Sequence, residues 1–178
     1  MSQFKINFVN SICFLGLIVF AAGFQSTFWF QIFGSLPAPW VWLDVILYLI
    51  LFRRPIEGIG LIYGLTLFVS PFTSMRLGVL WMICLIVFSV ISFAKKRVFW
   101  PGFRYFFFAA LGANLLFQLS YIIYSFAFEN NPVPIAFFQR LGEILVSSLL
   151  AIPVYSIATH IDQWTDKEFL PEAGGAKG

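Results

Sequence analysis

An all-α, polytopic membrane helical bundle is predicted here, with six transmembrane helices and both termini cytoplasmic, on three observations. Only 11% of the 178 residues are charged and 60% are hydrophobic, less than half the ~25% charged fraction of a water-soluble chain. The mean hydropathy is +0.89, and the apolar residues gather into windows of about 20, the length of helix that crosses a ~30 Å hydrocarbon core. The basic residues stand in short clusters beside those windows, as the positive-inside rule requires. A β-barrel calls for alternating polar and apolar residues in strands of about 10, whereas 11–24 and 79–90 are continuously apolar.

The first span, 8–30, follows Lys5 and continues through Phe24, Phe28 and Trp29. That outruns the ~7–15-residue core of a signal peptide, so an uncleaved helix is expected. The second, 36–52, opens at Pro37 and Pro39 and ends at Arg53-Arg54-Pro55, where proline favours a chain break and cations meet anionic headgroups. The third, 56–69, is about 21 Å long before Ser70-Pro71; it either continues toward Met75 or is partly re-entrant. The fourth, 77–93, stops before Lys95, Lys96 and Arg97, and the fifth and sixth are 105–128 and 134–161. No connection is long enough to fold in water. Residues 1–161 therefore read as one transmembrane domain and 162–178, ending EAGGAKG, as a flexible cytoplasmic tail.

Orientation follows from the cations. With the N-terminus inside, Lys5, Arg53, Arg54, Lys95, Lys96, Arg97, Arg104, Lys167 and Lys177 are cytoplasmic, and only Arg76 and Arg140 lie outside. Arg53, Arg54, Lys95, Lys96 and Arg97 read as cytoplasmic anchors, with Glu57 in reach of either arginine of the pair. Trp29, Trp40, Trp42 and Trp81 fall at outer ends of spans and Trp100 and Trp164 at inner ends, the depth that indole prefers. The net charge of +3 resides in these clusters, so no nucleic-acid surface is expected.

The interior polar residues are the informative ones. A charged carboxylate at mid-membrane costs about 2.5–3.5 kcal/mol. Asp44, set in WVWLDVILYLILF, must therefore carry its proton or find a donor among Arg76, Arg140, Gln118, Asn114 and the tyrosines. Asn114, Gln118, Tyr121 and Ser125 share one helical face. Arg140, Glu143, Ser147 and Ala151 form a second stripe, in which Arg140 and Glu143 are spaced to pair. Asp44, Asn114, Gln118, Arg140 and Glu143 thus constitute a candidate intramembrane polar network, made either of interhelical bonds or of the lining of a solute cavity. Gly60 and Gly64, at GxxxG spacing, form a candidate helix-packing or partner face.

Catalytic signatures are sparse. His160 is the only histidine, with Asp162 two residues on, and reads as an interfacial residue. HExxH, GxSxG and P-loop motifs are missing. Cys13 and Cys84 lack metal-site spacing and read as small apolar residues. A non-enzymatic protein without cofactor or metal is expected.

Pro37 and Pro39 open WVWLDVILYLILFRRP; Gly58, Gly60 and Gly64 follow, then Ser70 to Leu77-Gly78. This stretch, 36–80 and about a quarter of the chain, resembles the MreD family of the bacterial rod-shape system, and size, span number and short tail agree. Phe68 stands near where members of that family often carry an aspartate, and no residue role is carried over. The resemblance implies a multi-pass scaffold of the bacterial inner membrane that controls cell shape in the peptidoglycan elongation complex. Its implied partners are a bitopic MreC-like protein and, through it, the MreB filament and RodA with its transpeptidase. The family's fold is similar to that of the vitamin-binding subunits of energy-coupling-factor transporters, which makes a small-solute binding subunit the alternative.

Overall fold

The computed structural model describes residues 3–97 and 102–165, and its regular elements among those residues are all helical. Helix α1 (Gln3–Gly23) runs through a π-helical turn, Phe24–Phe28, into α2 (Trp29–Phe33). Then come α3 (Val41–Phe52), α4 (Pro55–Val69) with a 3-10 turn at Ser70–Phe72, α5 (Leu77–Lys95), α6 (Phe103–Phe128) and α7 (Phe137–Trp164). Gly34 stops α2 at φ +60°, backbone that costs glycine little. Pro55 takes the first position of α4, where its missing N–H is no loss.

Helix α3 is the axis of the bundle. Every residue from Trp42 to Phe52 is buried, and α1, α4, α5, α6 and α7 all pack around it. A helix that is apolar nearly all round has no face that needs water, so it can be enclosed in this way. Its 12 residues span about 18 Å, well short of a ~30 Å core. This revises the expected second span: residues 36–40 are not helical. They are held by side chains instead, with the Trp29 indole donating to the Leu36 carbonyl at 3.1 Å and the Trp40 N–H donating to Ser147 Oγ at 2.7 Å. Among the described residues five stretches are long and apolar enough to cross a bilayer, Lys5–Phe33, Pro55–Phe72, Leu77–Lys95, Phe103–Phe128 and Phe137–Trp164. The sixth expected crossing, α3, is a short helix enclosed by them.

Two aromatic clusters fill the centre. Tyr48, Phe52, Phe106 and Tyr155 meet at one level, and Trp40, Trp42 and Phe117 at another. Trp42 is 1% exposed and Trp29 6%, so both indoles are packed against the protein's own side chains. Trp81 donates to Thr66 Oγ1 at 2.6 Å and stacks on Tyr63. Trp164, 73% exposed, does stand free at the end of α7, while Trp100 lies outside the described residues. Large apolar side chains such as Phe20, Phe108, Ile123 and Phe138 cover the outside, as lipid contact allows.

The start of α1, the end of α3 and the end of α7 share one end of the bundle, because Asn10, Arg53 and Asp162 touch there. With Arg53, Arg54 and Lys95 to Arg97 at the ends of α3 and α5, this is the basic end of the bundle. Helix α7 reaches Trp164, so Asp162 belongs to the domain rather than to the tail. Residues 166–178, with Lys167 and Lys177, lie outside the described residues.

Candidate functional site

Two polar clusters are built on α3, one near its start and one at its end. In the first, Asp44 is fully buried and its Oδ1 accepts a bond from Asn114 Nδ2 of α6 at 3.1 Å. The same amide donates to the Ala110 carbonyl at 2.9 Å, while Asp44 Oδ2 has no partner among the described residues. Of the donors considered from sequence, Asn114 is the one that meets the aspartate; Arg76 is exposed.

One turn further along α6, Gln118 joins α7. Its Oε1 accepts from Arg140 Nη1 at 2.9 Å, and its Nε2 donates to Glu143 Oε2 at 2.8 Å. The expected direct pairing of Arg140 with Glu143 is therefore replaced by a bridge. An amide can do this because it presents an acceptor to the cation and a donor to the anion. Gln139 supports Glu143 Oε1 at 3.1 Å, and Ser147 Oγ donates to the Glu143 carbonyl at 2.6 Å. Ser125, from the same predicted stripe, turns to the loop and holds Glu129 and the Val133 N–H. The five residues predicted as a network are thus gathered along one α3–α6–α7 seam, as two bonded groups one turn apart.

The second cluster, at the basic end, was not anticipated. Arg53 is 2% exposed and Asp162 fully buried, and the Arg53 guanidinium forms an ion pair with Asp162 Oδ1. Asn10 Nδ2 donates to Asp162 Oδ1 and to Thr165 Oγ1, both at 2.8 Å, and Asn10 Oδ1 accepts from Arg53 at 3.0 Å. The Tyr48 hydroxyl donates to Asp162 Oδ2 at 2.8 Å. Arg53 also lies over the Phe14 ring, 5.5 Å from its centroid, a distance at which ring and cation attract. The reading of Arg53 as a cytoplasmic anchor is corrected accordingly. Arg53, the residue that follows α3, turns inward and meets a carboxylate there, while Arg54 turns out. Arg54, Lys96 and Arg97 are exposed and Lys95 half-buried, with Arg97 over Phe93, as anchoring residues would be.

A periodic signal did point to this cluster. On α1, Asn10, Phe14, Ile18 and Ala21 are all buried, at helical spacing. On α7, Ala151, Val154, Ala158 and Asp162 form one buried stripe, which Thr165 just beyond the helix continues. Each polar residue sits where the apolar face would place its next member.

The glycines divide in the same way. Gly58 packs internally, since a Cβ there would lie 3.5 Å from the Phe88 ring. Gly60 and Gly64 have nothing within 4 Å of a Cβ position. They floor an open groove of about 220 Å³ between α1 and α4, edged by Phe8, Ile12 and Phe68. The expectation of a packing face inside the chain fails for this pair, and the partner-face expectation is left standing. Gly142, not singled out from sequence, is the one pressed by a neighbour: its Cβ would fall 2.9 Å from Pro37 Cγ.

The seam holds helices together, each interhelical bond contributing about 0.6 kcal/mol on average in membranes. Asn114→Leu is expected to cost more, about 1–3 kcal/mol, because it removes the side-chain donor of a buried carboxylate. Adding Asp44→Leu should return most of that loss, as read by unfolding in mixed micelles. A single mutant as stable as wild type would show that the Asn114–Asp44 bond carries nothing.

These features define an all-helical multi-pass membrane protein whose interior polar side chains are largely bonded to one another across helices. Comparison with protein-family models, with curated proteins and with solved structures finds no match.

Proposed function

We propose that the chain is a non-enzymatic scaffold subunit of the bacterial rod-shape and peptidoglycan elongation complex. In this reading it resides in the inner membrane and binds the transmembrane helix of an MreC-like bitopic protein, and indirectly the MreB filament and RodA with its transpeptidase. The sequence resemblance over 36–80 supports it, and that stretch supplies the central helix α3 and the groove-forming helix α4. The observation that carries it is the open groove over Gly60 and Gly64. In lipid, helices associate through close packing over small residues rather than through a hydrophobic drive, and this groove leaves two such residues uncovered. The mutual bonding of Gln118, Arg140 and Glu143 favours this reading over a solute-binding subunit, whose polar side chains would be kept for a ligand.

Gly60→Leu with Gly64→Leu is expected to abolish co-purification of the MreC-like partner in mild detergent while leaving the thermal midpoint of the isolated chain near wild type, since both sites open onto free space. Retained partner in the double variant would remove the groove from the interface. Recovery of a transporter ATPase module with the wild-type chain would reject the scaffold reading itself.

A further inference from the structure

A second groove, of about 350 Å³, lies at the basic end between the start of α6 and the last turns of α7. It is separate from the α1–α4 groove, and its inner wall, Tyr155, packs on Tyr48 of the buried cluster at the same end. Phe103, Ile152 and Tyr155 make its apolar wall, and Ser156, Thr159, His160 and Gln163 its polar one. Phe103 and Ile152 are 52% and 40% exposed, so the apolar half opens sideways toward the membrane.

Three observations distinguish this groove from ordinary lipid-facing surface. The first concerns hydroxyls. Ser147, Ser148 and Thr159 of α7 each donate to a carbonyl one turn back. Ser156, on the same helix, makes no such bond, and neither His160 nor Gln163 has a hydrogen-bond partner among the described residues. Beside the bonded Thr159, the groove wall thus carries unbonded polar groups at 156, 160 and 163, on one helical face.

The second is charge. The Arg104 guanidinium sits over the Phe103 ring, 5.9 Å from its centroid, and that ring is the groove's wall. Among the described residues the lining includes no carboxylate, and the neighbouring Asp162 faces inward, engaged by Arg53. No side chain caps the start of α6, so its first N–H groups add to the positive field. The third is depth. Trp164, one residue beyond Gln163 at the end of α7, is 73% exposed, and an exposed indole at the end of a span favours the headgroup level.

We propose that this groove binds an anionic phospholipid, with the phosphate against Ser156, His160 and Gln163 beneath Arg104 and an acyl chain along Phe103 and Ile152. An amphipathic groove opening into lipid suits a ligand with a charged head and an apolar tail, which a soluble phosphate compound lacks.

The test uses the full chain in nanodiscs of mixed phosphatidylglycerol and phosphatidylcholine, followed by native mass spectrometry of the retained lipids and by thermal unfolding. Wild type should retain phosphatidylglycerol in preference, and Arg104→Gln should lower that preference about fivefold, the weight of one basic residue near an anionic headgroup. Ser156→Ala with Gln163→Ala, at two exposed positions, should lower it as well and serves if the arginine variant fails to fold. Arg97→Gln, a cation at the same end over Phe93 rather than over the groove's Phe103, should leave it unchanged. Equal retention of both lipids by wild type overturns the proposal, as does an equal fall in Arg97→Gln and Arg104→Gln, which would reflect surface potential alone. Glycerol phosphate raising the thermal midpoint as much as phosphatidylglycerol does would overturn it in favour of a soluble ligand.

Discussion

Arg53→Ala is expected to be among the most destabilising single substitutions in this protein, lowering its stability by about 3–5 kcal/mol. The loss is not the worth of one ion pair. Removing the guanidinium strands a fully buried carboxylate, Asp162, whose cationic partner is Arg53 and whose other donors are Asn10 and Tyr48. Asp162→Ala should cost as much for the mirror reason, leaving a buried cation that already has Nε and Nη1 without partners. Removing both charges should cost far less than the sum, because buried pairs replaced by well-packed apolar residues are often neutral or better. Arg53→Met with Asp162→Leu is therefore expected to recover most of the stability of wild type. Arg54→Ala, one residue away and exposed, is the control and should be near neutral. Unfolding in mixed micelles reads all four. Equal effects of the two arginine substitutions would mean that Arg53 is a surface anchor after all.

Gly142→Leu is expected to have the second largest effect, separating the Pro37 segment from α7. Even the first carbon of a side chain at this position would lie 2.9 Å from Pro37 Cγ. A proline ring cannot swing aside as the end of a long side chain can. Overpacking of this kind costs about 1–3 kcal/mol for small additions, and the whole leucine exceeds that lower case. Gly142→Ala gains about 1 kcal/mol of helix propensity against the same clash, so it should fall between wild type and Gly142→Leu. The bond from the Trp40 N–H to Ser147, at 2.7 Å, ties the same two segments and should weaken with them, which a change in tryptophan emission would register. Gly112, with nothing within 4 Å of its Cβ position, gives the comparison: Gly112→Ala should be neutral or stabilising. If Gly142 and Gly112 respond alike, close approach of Pro37 is not what the glycine provides.

The contrast between the two arginines shows how far the residues could be read unaided. Side by side in sequence, Arg53 and Arg54 both look like the cationic stop of a membrane span. They differ only in which way each leaves the end of α3, and that depends on α3 being enclosed by other helices. Asp44 was legible as an interior group, since lipid makes a lone carboxylate costly whatever surrounds it. Its choice of Asn114 over Arg76 was not, because both were plausible donors until the helices were arranged. Gln118 was placed correctly on a polar face, yet its bridging of Arg140 and Glu143 needed the spacing between α6 and α7. Asp162 was set in the tail because local hydropathy falls there, although the buried stripe of α7 continues through it.

What the sequence by itself determined is the medium and the class: too little charge for water, apolar runs of helical length, cations at their ends. These follow from transfer energies that act residue by residue, and no partner segment is needed to evaluate them. Only the tertiary structure decided that α3 is the enclosed axis, that Arg53 closes on Asp162 across 109 positions of chain, and that Gly142 rather than Gly60 is the crowded glycine. Those outcomes depend on distances between segments far apart in sequence, and short-range periodicity carries no measure of such distances.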